Sequence, residues 1–183
     1  MAISSRFAVA VHVLTLLEAS GGEPVTSERL AGSASTHPAL VRRILCMLAR
    51  AGLTTSRLGA GGGALLARPA SQITLRDVYR AVEEGPLFAM HHESPDDRCP
   101  VGRHIQPVLE GTTAAARRAL EEVLAGRTVA DVARRVAARA AKEAAVRGRP
   151  GAPGAACHGP AAPVVGGRRG RRRTRVSPEG SLS

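Results

Sequence analysis

Aromatic residues are scarce, with one Tyr, two Phe and no Trp among 183 residues. Leu, Val, Ile and Ala must therefore fill any core, which favours packed helices over a β-sandwich or barrel. Cysteine is scarce too. Cys46, Cys99 and Cys157 are odd in number and far apart, which argues against a disulfide framework and fits a reducing compartment. No run of about 18 apolar residues is available to span a bilayer. The opening MAISSRFAVAVHVLTLLEAS lacks a small-residue cleavage site and has helical periodicity instead. A cytoplasmic protein without a membrane role is expected. No nucleophile–base pair, carboxylate pair or metal motif stands out, so no enzyme is expected.

Acidic residues number 15 against 26 Lys and Arg, a net charge of +11 that points to a polyanionic partner. Location matters more than the sum. From Val146 onward there are eight Arg and one Glu, so this segment carries +7 and the remainder only +4. The 44% hydrophobic content suffices for one modest domain. The last stretch, dominated by Gly, Pro, Ala and Arg, has too few large apolar residues to offset the entropy of ordering.

Phe7, Ala10, Val11, Leu14 and Leu17 recur at helical spacing and predict a first helix ending near Gly21-Gly22. A short helix over Ser27 to Gly32 follows, with Thr26 or Ser27 as cap and Leu30 and Ala31 inward. A third helix begins at Pro38, a residue suited to the first turn, and stops at Gly52. Its apolar stripe is Leu40, Val41, Ile44, Leu45 and Leu48, leaving Arg42, Arg43 and Arg50 on other faces. Two short helices joined by a polar break read as a helix-turn-helix whose second helix enters a DNA major groove.

After Leu53, Thr54 to Ser56 suit a strand, GAGGG forms a tight turn, and Leu65-Leu66 begin the return. Such a hairpin is the wing of a winged helix. Thr74 and Asp77 form a capping box for a fourth helix carrying Leu75, Val78, Tyr79 and Val82. From His104, the positions Ile105, Val108, Leu109, Thr112, Ala116, Leu120, Val123 and Leu124 make an apolar stripe longer than this core needs, so it seeks a partner. Thr128 and Asp131 cap one more helix. The expected fold is mainly α with a small β-hairpin wing. Residues 1–86 are a winged helix-turn-helix DNA-binding domain, 87–103 a sensor or linker loop, 104–145 dimerisation helices and 146–183 a disordered basic tail.

With these elements in order, the chain resembles the Rrf2 family of bacterial winged-helix regulators, which includes iron-sulfur cluster regulators, nitric-oxide-sensing repressors and cysteine-metabolism repressors. The matching stretches are AISSRFAVAVHVLTLL, VTSERLAGSASTHPALVRRILCMLARAGL, GAGGGALLARPASQITLRDVYRAVEEG and CPVGRHIQPVLEGTTAAARRALEEVLAGRTVADV, within residues 2–135. The resemblance implies a homodimeric repressor with crossing long helices and one recognition helix per half-site, sensing redox, iron, nitric oxide or metabolic state. Two departures matter. Cluster-binding members carry three closely spaced cysteines before the dimer helix, whereas only Cys99 stands there, so no iron-sulfur cluster or other cofactor is expected. Many members place Arg directly before the wing glycine, where this chain has Leu58 and Arg57 precedes it.

The DNA-binding candidates are Ser27, Thr36, His37, Arg42, Arg43, Arg57, Gly61 and Gly62. Arg42 and Arg43 can fork onto guanine or clamp phosphate, and the sequence does not decide which reads a base. Thr36 and His37 cap the recognition helix or bond phosphate, with capping favoured for Thr36. Ser27 either starts its helix or donates to phosphate. Gly61 and Gly62 allow close backbone approach to a sugar-phosphate edge. Without GxGxxG context or a following GK[ST], the wing glycines do not form a nucleotide loop.

Cys99, in DDRCPVGRH, is the redox candidate, with Asp96 and Asp97 raising its pKa and Arg98 and Arg103 lowering it. A small packed residue is the alternative. Cys46 borders the apolar stripe and is expected to be buried. His91, His92, Cys99 and His104 match no standard metal spacing, so no metal is expected. Arg168, Arg169, Arg171, Arg172, Arg173 and Arg175 supply salt-sensitive affinity for nucleic acid or no function at all. The leading function is a DNA-binding transcriptional regulator, a homodimer on a pseudo-palindromic operator, thiol-responsive through Cys99. The alternative is a protein-interaction module that regulates a partner enzyme.

Overall fold

The computed structural model describes residues 5–83, 85–91, 93 and 95–146. The basic segment with its Arg cluster and Cys157, and His92, lie outside the described residues. The order is α1 (Arg6–Ala19), α2 (Ser27–Ser33), α3 (Pro38–Arg50), β1 (Thr54–Arg57), β2 (Gly63–Leu66), a 3-10 turn (Ala70–Gln72), α4 (Leu75–Val82), α5 (Pro100–Ala125) and α6 (Val129–Val146). The fold is thus mainly helical, with one antiparallel hairpin and a long helix toward its C-terminal end, as the sequence predicts.

The core forms where α1, α3 and α4 meet. Val13 and Leu14 of α1, Leu30 of α2, Val41, Ile44 and Leu48 of α3, and Val78 and Val82 of α4 are fully buried. Each such aliphatic side chain contributes about 1.5–3 kcal/mol relative to exposure. Phe7 and Tyr79, two of the three aromatics, meet edge to face with centroids 6.1 Å apart. The capping box of α4 is complete. Asp77 N–H donates to Thr74 Oγ1 at 3.1 Å, and Thr74 N–H donates to Asp77 Oδ2 at 3.0 Å.

The hairpin pairs Thr54 with Leu66 and Arg57 with Gly63. Val25, just before α2, exchanges two backbone hydrogen bonds with Ala64, at 3.0 and 2.9 Å, so the wing is stitched to the helix-turn-helix. Glycine is required twice here, once at the stitch and once in the hairpin turn. A Cβ on Gly63 would lie 2.6 Å from the Val25 carbonyl oxygen, and one on Gly62 2.3 Å from that of Arg57. The return strand therefore starts at Gly63, two residues before the expected Leu65.

One helix start differs from the sequence expectation, and one helix has a packing partner within the chain that the sequence does not indicate. The long helix starts at Pro100 rather than His104, because Pro at the first helical position needs no hydrogen-bonded N–H. Helix α6, grouped by sequence with the dimerisation helices, packs on α1 of its own chain. Val129 is fully buried there, its N–H donates to the Ile73 carbonyl at 2.9 Å, and Leu75 N–H donates to the Arg127 carbonyl at 2.8 Å. Helix α5 itself buries no residue completely, and Val101, Val108 and Val123 are 67, 63 and 70% exposed.

Candidate nucleic-acid interface

At 100° per residue, burying Val41, Ile44 and Leu48 turns the opposite face of α3 outward. Ala39, Arg42, Arg43, Cys46, Ala49 and Arg50 are all exposed. Three guanidinium groups thus flank a floor of small side chains, which lets a helix lie deep in a groove while long cationic arms reach bases or phosphates. Cys46 sits on this outward face and is exposed, a correction to its expected packing. Its neighbours on the buried side are two residues away, and a two-residue step swings the side chain about 200° around the helix.

The turn between α2 and α3 holds Ser35 at φ 48°, a left-handed conformation that small polar residues tolerate. Thr36 does not cap α3, contrary to expectation. Its N–H donates to the Ala31 carbonyl at 3.0 Å, closing the end of α2. With Pro38 fixed as the first helical residue, the cap position falls to His37, whose Nδ1 accepts from Ala39 N–H at 3.1 Å. Nδ1 thus serves as the acceptor at this cap, and the ring lies exposed at the start of α3.

Arg42 and Arg43 differ in their partners. Arg42 Nη1 lies 3.6 Å from Glu28 Oε1 of α2, and Ser27 Oγ donates to the same oxygen at 3.1 Å. Arg43 and Arg50 have no side-chain partner among the described residues. Glu28's own backbone N–H and then the Ser27 hydroxyl hold its carboxyl below the usual range, with Arg42 adding to the effect. A cleft of about 280 Å³ between α3 and the hairpin is lined by Ser27, Arg42, Cys46, Thr55 and Ser56, among others. Ser27 and Arg42 are thereby brought together with the base of the wing.

At the wing tip, Arg57 Nη2 donates to the Gly61 carbonyl at 3.4 Å, so the guanidinium folds over the turn it precedes. Gly61 has φ 75° with open space beside it, whereas Gly62 closes the turn through its N–H to the Gly59 carbonyl at 3.0 Å. The requirement for glycine at position 62 is therefore met by the turn itself. Leu58 is 91% exposed, an apolar side chain at the outermost point of the hairpin.

Cys99 is exposed at the N-cap of α5. The N–H groups of Gly102 and then Val101 at the helix start lower its thiol pKa, a helix-terminus effect in place of the expected contest between Asp96, Asp97, Arg98 and Arg103. The turn around it is tight. Cys99 N–H donates to the Asp96 carbonyl at 3.2 Å, and Arg103 Nε donates to that of Asp97 at 2.9 Å. A Cβ on Gly102 would lie 2.2 Å from the Asp96 oxygen. No helix among the described residues is long and apolar enough to cross a membrane.

Comparison with known proteins agrees with this geometry. Residues 3–135 match the Rrf2 family profile, described as iron-dependent transcriptional regulator. The Bacillus subtilis protein YwnA, named as an HTH-type transcriptional regulator, is 44% identical over 131 residues, covering 71% of this chain and 96% of its own. The HTH-type transcriptional regulator IscR of Cereibacter sphaeroides is 35% identical over 92 residues, covering 50% of this chain and 59% of its own. Among solved structures, CymR, the global cysteine regulator of Bacillus subtilis, superposes with a TM-score of 0.53 at 24% identity, covering 73% of this chain and 96% of that one.

Proposed function

The chain belongs to the Rrf2 family of transcriptional regulators, and from that premise we propose that it acts in the cytoplasm as a homodimeric repressor reading a pseudo-palindromic operator. The observation that carries this reading is the outward face of α3, where Arg42, Arg43 and Arg50 surround Ala39, Cys46 and Ala49 beside an exposed hairpin. Arg42 and Arg43 contact the major groove, with His37, Thr36 and Ser27 at its edge. Arg57 and the Gly61-Gly62 turn lie along the neighbouring backbone. The exposed valines of α5 support pairing with a second copy, which sets the two recognition helices about one DNA turn, or roughly 34–36 Å, apart.

The donor set does not fit a cluster held by three thiolates. Cys99 is the only cysteine between α4 and α5, so three closely spaced thiolates are not available there. The regulator proposed here works without a cluster. Its signal enters instead through the Cys99 thiol, whose lowered pKa increases the thiolate fraction that reacts with peroxide or disulfide.

The test is selection from a randomised duplex pool by the full chain, followed by fluorescence anisotropy on the enriched duplex under reducing and oxidising conditions. Enrichment of an inverted repeat supports the operator reading. A chain that enriches nothing, or binds all duplexes equally, refutes it and favours a module that docks on a partner protein.

A further inference from the structure

The three arginines on the outward face of α3 are equivalent in the sequence but not in the structure. Among the described residues only Arg42 of the three has a carboxylate within reach, Glu28 Oε1 at 3.6 Å, supplied by the other helix of the pair. Glu28 is itself held by the Ser27 hydroxyl at 3.1 Å, so Glu28 links Ser27 and Arg42, two residues that line the cleft between α3 and the wing. The two charged side chains are 64 and 60% exposed, and an ion pair in that setting contributes little to folding. An acidic side chain at the rim of a cationic surface also repels phosphate. Both facts argue that Glu28 serves selectivity.

We propose that Glu28 is a positioning residue that determines specificity, holding the Arg42 guanidinium for base reading while Arg43 and Arg50 clamp phosphate. The inference rests on the DNA-binding reading above. Arginine has two competing uses at a DNA surface, a bidentate fork on guanine O6 and N7 and a sequence-independent bond to phosphate. A neighbouring carboxylate partly neutralises Arg42 and fixes its direction, which lowers its attraction for phosphate and leaves the fork for a base. Arg43 and Arg50, with no such partner among the described residues, keep their full attraction for the backbone.

The experiment uses the full chain with the duplex it enriches from a randomised pool, and a scrambled duplex of equal length, at several salt concentrations. Glu28→Gln keeps size and shape while removing the charge. It should lower the ratio of selected to scrambled affinity at least about fivefold, and steepen the salt slope on scrambled DNA by about 0.9, the signature of one more phosphate contact. Thermal melting should stay at the wild-type value, which separates this role from a structural one. On an Arg42→Gln background, adding Glu28→Gln should change the affinity ratio no further, since its effect runs through Arg42. Wild-type discrimination and slope in Glu28→Gln, or an equal drop on the Arg42→Gln background, would overturn the proposal while the DNA reading stands. A wild-type chain that enriches no duplex removes both.

Discussion

The Arg80 guanidinium of α4 meets the Glu121 carboxylate of α5, which also accepts from Arg117 Nε at 3.2 Å. Arg117 in turn reaches the Gly85 carbonyl from its Nη1 at 3.4 Å. This cluster joins the winged-helix unit to the flank of the long helix, where apolar burial is incomplete. Arg80 first, and then Arg117, hold the Glu121 carboxyl below its ordinary value. A depressed carboxyl contributes its full stabilisation above the unfolded glutamate value of about 4.3 and loses it as pH falls through the folded value. Glu121→Gln should therefore melt below wild type at neutral pH and converge with it on acidification through that window, as followed by circular dichroism. Parallel curves at every pH would contradict this.

Arg43→Ala and Arg42→Ala should fail differently. Losing Arg43 removes a phosphate contact, so anisotropy titrations should weaken on all sequences alike and the salt slope should fall by about 0.9. Losing Arg42 should cost about 1–3 kcal/mol on the selected duplex and far less on scrambled DNA. Identical profiles for the two variants would remove the division of labour between them.

Cys46 offers a footprint of the groove face. Both Cys46 and Cys99 are exposed, so both should alkylate in free protein. Saturation with the selected duplex should slow modification of Cys46 strongly and that of Cys99 little, as read by mass spectrometry of the peptides. Equal rates at Cys46 with and without DNA would place the interface elsewhere.

Gly62→Ala forces a Cβ to within 2.3 Å of the Arg57 carbonyl oxygen, so the turn must open. The local cost is on the order of 1–3 kcal/mol. DNA affinity should drop through the wing while the helical core, which lies on α1, α3 and α4, melts near the wild-type temperature. Loss of helical signal at room temperature would show that the hairpin does more for the core than its position suggests.

Val108→Glu combined with Val123→Glu places two charges on the exposed apolar side of α5. The expected outcome is a shift from dimer to monomer in sedimentation velocity, with half-site binding retained and cooperative operator binding lost. A dimer that survives both charges would mean that another surface joins the copies.

The elements of the fold were largely legible because each carries a local signal: Pro38 at a helix start, Gly52 past a helix end, the Thr74–Asp77 box, and glycines where the hairpin turns. The outward face of α3 was half legible. Arg42 and Arg43 follow from charge, but Cys46 borders Leu45 in sequence without neighbouring the core in space, since helical stepping from Val41 and Ile44 turns it outward. Glu28 carries no mark of a role at a DNA surface in the sequence, because an acidic residue there is not itself a phosphate contact and its pairing with Arg42 depends on how two helices cross. The cap at His37 could have been found from Pro38 alone. The return of α6 onto α1 could not, since it rests on long-range backbone bonds at Ile73 and Leu75 that leave no local mark.

Those bonds at the corner between α5 and α6 clamp the long helix at its C-terminal end. Helix α5 is a cantilever of 26 residues, about 39 Å long, whose far end carries the Cys99 turn. Tilting such a beam by one degree at its root moves its tip about 0.7 Å. Conversely, a sub-ångström shift imposed at the tip rotates the attached winged-helix unit by only about a degree. Under the proposed function, gearing between a chemical event near Cys99 and the separation of two recognition helices demands a firm root, and in this chain the root is held by main-chain hydrogen bonds from Leu75 to Arg127 and from Val129 to Ile73.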